Sequence, residues 1–339
     1  MRKMVAAVLA LTLLISLTAC SNSSTSSVQE DDGMMGADSA NIRFKVGTTT
    51  APEGHYVKGL QKMQKLLEEY SDGEMTLDIY PNSQLGNERD MMESVGLGVQ
   101  EMCLISTGPI PNFVSDFAVL DFPYLFEDAE DAYSKLDGEL GQELLDELET
   151  QKIRGVGFWE NGFRELTNDD RVIATPEDLA GMKIRTMENN VHIETYEELG
   201  ATATPMAWSE IFTALSQGTV DGQENPIAII DTSRVWEVQQ YISMIDLFYS
   251  PCVLMISERI YDGLTKEQQE AFDRSAEEAK DWQREYSQNY NEEAVANMDK
   301  EGVTITEVDK EVWKEAVSDV YDMAETFQIS QELVDKWTK

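Results

Sequence analysis

Side chains able to do chemistry on a substrate are sparse and scattered in this 339-residue chain. Only two histidines occur, His55 and His192, and neither stands in the H-E-x-x-H spacing that holds a catalytic zinc ion. No G-x-S-x-G elbow raises a serine nucleophile, and no P-loop is present to cradle phosphates. Gly155-Val156-Gly157 begins like a dinucleotide loop, but Glu160 stands where the third glycine belongs. Asp221-Gly222-Gln223-Glu224 is too short for a calcium loop of the EF-hand type. Carboxylates are so abundant that no pair stands out as an acid/base couple. The pattern points to binding rather than turnover, and it calls for no cofactor and no metal.

One thiol does stand in a chemical context. Arg2 and Lys3 precede an apolar run, Met4 to Thr18, which is shorter than the ~20 residues of a membrane-spanning helix. It reads as a secretory signal. The run ends in Leu17-Thr18-Ala19-Cys20, which resembles a bacterial lipobox. Small residues before the cut suit a narrow peptidase site, and the Cys20 thiol would receive the lipid. Residues 21–40 are Ser-, Asp- and Gly-rich and too poor in apolar content to fold, so they read as a tether. The expected location is extracytoplasmic, at the outer face of the cell membrane or in the periplasm. Cys103 and Cys252 sit in apolar runs and read as buried free thiols, although an exported protein could join them.

The chain carries 64 acidic and 26 basic residues, a net charge of −38. Nucleic-acid binding needs basic surface to replace counterions and is excluded. An anionic ligand is not. Exposed charges are screened beyond ~8 Å at physiological salt, so one buried arginine can dominate a pocket.

These groups must be positioned by an α/β framework. Alternation of apolar residues predicts strands at 43–46, 74–80, 101–106, 153–158, 182–186, 219–223, 252–256 and 303–306. Helical spacing predicts helices at 56–70, 88–99, 190–199, 227–241 and 310–327, and one from Ser209 to Gly218. Thr175-Pro176 reads as a helix start. Thr265 and Gln268 have capping-box spacing ahead of a stretch, 266–301, free of proline and glycine. There Ala271, Phe272, Ala279, Trp282, Tyr286, Tyr290, Ala294 and Met298 recur on one face. At 1.5 Å per residue that helix would be ~54 Å long, more than one domain's diameter. The expected fold is α/β, with two α/β domains, mixed mostly parallel sheets and a long bridging helix.

Several segments, taken in order, resemble the solute-binding proteins of TRAP transporters, the DctP family. They are Tyr80-Pro81-Asn82-Ser83-Gln84-Leu85-Gly86, Phe122-Pro123-Tyr124-Leu125-Phe126, Asn161-Gly162-Phe163-Arg164 and the stretch 175–185 that ends Gly181-Met182-Lys183-Ile184-Arg185. They continue through Leu199-Gly200-Ala201, Pro205-Met206-Ala207-Trp208-Ser209-Glu210 and Ala214-Leu215-Ser216-Gln217-Gly218 to Val220-Asp221-Gly222-Gln223-Glu224-Asn225-Pro226. The resemblance runs from Asn41 to Lys339. It implies a periplasmic-binding-protein-like fold of TRAP type, with a hinged cleft that closes on ligand. The domains would comprise residues 41–161 plus about 251–290, and 162–250 plus about 291–339. It also implies delivery to a permease of small and large membrane subunits, driven by an ion gradient.

The same resemblance assigns roles. The arginine ending the G-x-K-x-R strand grips a ligand carboxylate in the family, and here it is Arg185. A planar guanidinium offers two parallel donors and stays charged when desolvated. Arg185 also falls at the carboxyl end of a predicted strand, where open α/β sheets bind ligands. Arg164 matches a second family arginine near the carboxylate or the domain interface. Asn225 matches a ligand-contacting asparagine, Trp208 an aromatic lining the cleft, and Glu188, Ser106 and Thr48 fall near ligand-touching loops. Ile245-Asp246-Leu247 stands where sialic-acid-binding relatives carry Thr-Asn-His, which argues against sialic acid. The 185–189 and 205–208 segments look closer to relatives that bind sugar acids such as uronates or aldonates. The alternatives are a C4-dicarboxylate or keto acid as ligand, or a sensory protein that presents its ligand to a receptor kinase.

Overall fold

A computed structural model describes residues 41–339, so the leader, Cys20 and the tether lie outside the described residues. The strands are β1 (Ile42–Gly47), β2 (Met75–Tyr80), β3 (Met102–Ser106), β4 (Ile153–Asn168), β5 (Lys183–Thr186), β6 (Thr202–Pro205), β7 (Gly222–Pro226), β8 (Tyr241–Met244), β9 (Tyr249–Ser257) and β10 (Thr304–Glu307). The α-helices are α1 (His55–Tyr70), α2 (Glu88–Gly96), α3 (Ala129–Leu136), α4 (Glu139–Glu147), α5 (Asn190–Glu198), α6 (Ile211–Ser216), α7 (Ile227–Thr232), α8 (Glu258–Asp262), α9 (Lys266–Lys300), α10 (Lys310–Ala316) and α11 (Gln331–Trp337).

The fold is mixed α/β, as its residue pattern requires. Strand order is β2-β1-β3-β9-β4-β7-β5-β6, with β8 joining β4 and β10 joining β8. The flanks are parallel: β1 with β2 and β3, β5 with β6 and β7, β8 with β10. The centre is antiparallel and is organised by β4. Its first part pairs β9, from Ile153 opposite Ser257 to Phe163 opposite Tyr249. Its last part pairs β7, from Arg164 opposite Pro226 to Asn168 opposite Gly222. Near the end of the β9 pairing, just before β7 takes over, the register breaks at Glu160/Gly162, where Gly162 takes a φ of 125° that a side chain would strain.

This pairing scheme fixes where a ligand can sit. The C-terminal end of β3 reaches the junction through β9, since Ser106 pairs Cys252 and Cys252 pairs Trp159. β7 runs antiparallel to β4 and β5 runs parallel to β7, so both return towards the same junction. The carboxyl ends of two sets of parallel strands therefore converge around residues 159–164.

The 35-residue α9 begins at the expected capping box, with Thr265 accepting from the Gln268 amide. It packs on α1, β4 and α7. Gly59 of α1 allows the close approach: a Cβ there would lie 2.6 Å from both Gln283 and Trp159. Ala271, Phe272, Ala279, Ala294 and Met298 are buried as the spacing predicts. Trp282, Tyr286 and Tyr290 are not core. They stack on one another along the helix surface, with centroids 5.1 and 6.0 Å apart and Trp282 36% exposed.

Other expectations are corrected. β4 continues ten residues past the expected strand end. The expected helix 227–241 stops at Thr232, because Arg234 enters the left-handed region at φ 54° and Tyr241–Met244 leaves to pair as β8. The expected helix 310–327 is α10 followed by a 3-10 segment, Ser318–Met323. Ser209 lies inside the 3-10 turn Trp208–Glu210 rather than capping α6. Cys103 and Cys252 are free and buried, set out of register with one another on β3 and β9.

Candidate functional site

At the junction lies a narrow, partly open chamber with little free space left between its side chains. The loop after β1 contributes Thr49 and Thr50, α1 Tyr56, α2 Glu88 and β3 Ser106. From the other side come Asn161 and Arg164 of β4, Arg185 of β5 with Met187, Trp208, Asn225 of β7 and Ile229 of α7. Five of the residues singled out in the sequence are thus brought together: Arg185, Arg164, Asn225, Trp208 and Ser106. Two are not in the lining. Thr48 is wholly buried behind the chamber, its hydroxyl 3.5 Å from that of Thr50. Glu188 is partly exposed and lies 3.9 Å from Arg89.

The two arginines are held in different ways. Arg164 is fully buried and its Nε and Nη2 donate to the Glu224 carboxylate. Nη2 also donates to the Glu224 carbonyl at 2.8 Å and to Asn225 Oδ1 at 3.2 Å. Burial alone would push the Glu224 carboxyl up, but Arg164 and His192 outweigh it and hold the group down at about 2. Behind Glu224, His192 is stacked on Phe248 and lies 3.1 Å from Asp121. Burial disfavours its charged form; Asp121 and Glu224 together prevail and raise its pKa. Arg164 is therefore neutralised by its own structure.

Arg185 is not. It is 2% exposed, and its Nε and Nη2 donate to the Met206 carbonyl at 3.0 and 2.7 Å. Among the described residues no carboxylate lies within ion-pair distance of it. Three of the five N–H groups of its guanidinium remain for another acceptor. Desolvation lowers its pKa to about 10 against the pull of Glu224. A buried cation without a counter-ion is costly, and an anion entering the chamber relieves that cost.

The remaining lining is built for hydroxyl groups. Glu88, in the first turn of α2, accepts from both the amide and the hydroxyl of Ser106 through Oε1, each at 2.9 Å. Burial raises the Glu88 pKa, and the Ser106 bonds pull it back in part. Its Oε2 makes no hydrogen bond among the described residues. Asn161 donates to the Ser250 hydroxyl at 3.2 Å, yet its buried Oδ1 has no partner. Asn225 donates to Gln223 Oε1 and keeps its second N–H free. No group of acidic, histidine or cysteine side chains among the described residues is arranged to hold a metal ion.

Glu88, Asn161, Thr49, Thr50, Tyr56, Met187 and Ile229 were not singled out by sequence. Asn161 was within reach, since it opens the Asn161-Gly162-Phe163-Arg164 segment. Glu88 was hidden among 64 acidic residues, and only its place just after the Gln84-Leu85-Gly86 turn marks it.

Comparison with known proteins agrees with this geometry. The family described as bacterial extracellular solute-binding protein, family 7, matches residues 46–327. A solute-binding protein of Verminephrobacter eiseniae is 40% identical over 69% of this chain and 70% of its own length. The 2,3-diketo-L-gulonate-binding periplasmic protein of Escherichia coli is 33% identical over 83% of this chain and 86% of its own. Among solved structures, a TRAP periplasmic solute-binding protein from Polaromonas sp. JS666 bound to D-erythronate superposes with a TM-score of 0.84. It is 38% identical and the match covers 88% of this chain and 98% of that one.

Proposed function

Because this chain belongs to the DctP family of bacterial extracellular solute-binding proteins, we propose that it captures a small sugar acid, a uronate or an aldonate, and hands it to a TRAP-type membrane permease. The observation that carries the reading is Arg185, a buried guanidinium with unused donors that lines the chamber and makes no ion pair with a carboxylate among the described residues. A ligand carboxylate is the missing partner. Arg164, Asn225 and Trp208 frame it. At the other end of the ligand, Glu88 and Asn161 present acceptors to sugar hydroxyls, with Ser106 holding the Glu88 carboxylate in place.

The Glu88 carboxylate favours a monocarboxylate polyol over a C4-dicarboxylate. A second ligand carboxylate would meet a negative charge in a desolvated site, and like charges there disfavour one another strongly. Similar proteins include binders of diketo-gulonate and erythronate and also of C4-dicarboxylates, so the choice rests on Glu88.

Because most of the lining is buried and little space remains between the side chains, we infer that a ligand enters when the chamber widens. We place the hinge at the register break around Gly162, with α9 spanning the two halves of the sheet. The lipobox at Cys20 would hold the protein at the outer membrane face. A panel of sugar acids, C4-dicarboxylates and keto acids, compared by thermal shift, tests the assignment. Ligand at 100 times Kd should stabilise by ~2.7 kcal/mol. Sugar acids should give the largest shifts, and a response to dicarboxylates alone would overturn the choice. Permease genes beside this gene would support transport, and a receptor-kinase gene would support sensing.

A further inference from the structure

The chamber is not the end of the cleft. Thr49 and Trp208 also line a second hollow, an open surface groove beside the same junction. Its walls come from the same two sides as the chamber's: the loops after β1 and β2, and the segments around α6 and the end of α7. Groove and chamber thus share a wall, to which Thr49 and Trp208 both belong.

The groove's chemistry differs from the surrounding surface. None of the residues lining it is acidic, in a chain where 64 of 339 are. Its one cation, Arg234, is taken up by Glu237 and by the Trp236 ring. What remains is uncharged: aliphatic Ala51, Pro52, Ile211 and Val235, two aromatic rings, and hydroxyl and amide groups. Phe212 is 44% exposed on one wall beside Trp208, while Asn82, Ser83, Thr232 and Ser233 supply amide and hydroxyl groups. Asn82 and Ser83 both adopt left-handed backbone, at φ 53° and 55°. Their amides donate to the carbonyls of Thr50 and Thr48, so this strained turn is pinned to the chamber loop. An uncharged wall that pairs an aromatic face with short hydroxyl and amide side chains matches the alternating C–H and O–H faces of a sugar ring.

Resting on the sugar-acid reading of the chamber, we propose that the groove is a second subsite that holds a glycosyl unit. The protein then accepts glycosylated sugar acids, with the acid unit on Arg185, the linkage passing between Thr49 and Trp208, and the second ring against Phe212. Phe212 is 44% exposed and lines the groove but not the chamber, so its removal should leave the acid unit's site intact.

Calorimetry on the purified protein compares D-gluconate and D-galacturonate with their 4-O-glycosyl counterparts, lactobionate and digalacturonate, in wild type and Phe212→Ala. In at least one pair the disaccharide acid should bind within tenfold of the monosaccharide acid or more tightly. Phe212→Ala should weaken that disaccharide acid at least fivefold and change the monosaccharide acid less than twofold. Binding of monosaccharide acids without disaccharide acids overturns the subsite and leaves the chamber assignment standing, as does an equal loss for both in Phe212→Ala. Failure of all four ligands to bind overturns the sugar-acid reading, and the subsite falls with it.

Discussion

Replacing Arg185 by Ala separates a ligand clamp from a structural ion pair, because the two make opposite demands on the empty protein. Arg185 is buried and makes no ion pair with a carboxylate among the described residues; Glu224, Glu88 and Glu188 act on it only from a distance, so its charge is incompletely compensated until a ligand arrives. Removing it should leave the ligand-free melting temperature unchanged or higher. Binding should collapse, because the ligand's carboxylate would then be desolvated without a partner, which costs ~3–5 kcal/mol. At ~1.4 kcal/mol per decade the loss is roughly 100-fold or more. Arg185→Lys keeps the charge but loses the planar fork, and it should bind less well than wild type. Arg164→Ala should behave in the opposite way. It strips the buried Glu224 carboxylate of its main counter-ion, so the empty protein itself should melt several degrees lower. Calorimetry with the best ligand of the panel, and thermal melts without ligand, read both effects. Binding by Arg185→Ala within threefold of wild type would refute the clamp. A large drop in its ligand-free stability would show that the guanidinium holds the fold rather than the ligand.

Four further outcomes are expected. Glu88→Gln should narrow the preference for a sugar acid over succinate by at least tenfold in competition binding, and an unchanged ratio would remove Glu88 from the specificity argument. Glu224 titrates far below its ordinary 4.5, at about 2, so its stabilising contribution is complete above pH ~4.5 and is lost as the pH falls towards 2. Urea midpoints between pH 3 and 6 should therefore fall less steeply towards acid in Glu224→Gln than in wild type, and parallel slopes would contradict the pairing. Small-angle scattering should give a smaller radius of gyration with saturating ligand; an identical profile counts against a hinge at Gly162. Cys20→Ala should lose acyl labelling and membrane retention, and equal labelling of mutant and wild type would dismiss the lipobox.

The sequence by itself determined what local rules control. The capping box at Thr265 and an uninterrupted helical stretch defined α9 almost to the residue, because cap geometry and the absence of breakers act within a few residues. Alternating apolar runs located β1, β2, β3 and β5, and the ordered motifs identified the family and brought Arg185, Arg164, Asn225, Trp208 and Ser106 to one chamber. Whatever depends on partners far along the chain was settled only by tertiary structure. β4 runs on to Asn168 because β7 and β8 supply its hydrogen bonds, and nothing in residues 159–168 alone marks them as strand. Trp282, Tyr286 and Tyr290 keep helical spacing yet are not fully buried, Trp282 being exposed and Tyr290 packed at the edge of the core, since periodicity gives a face and only packing says how far that face is covered. The sequence placed both arginines near a ligand carboxylate or the domain interface without showing how each is held. One is neutral in effect and the other available, and that difference rests on a single carboxylate, Glu224, sixty residues from Arg164 in the chain and hydrogen-bonded to it in the fold.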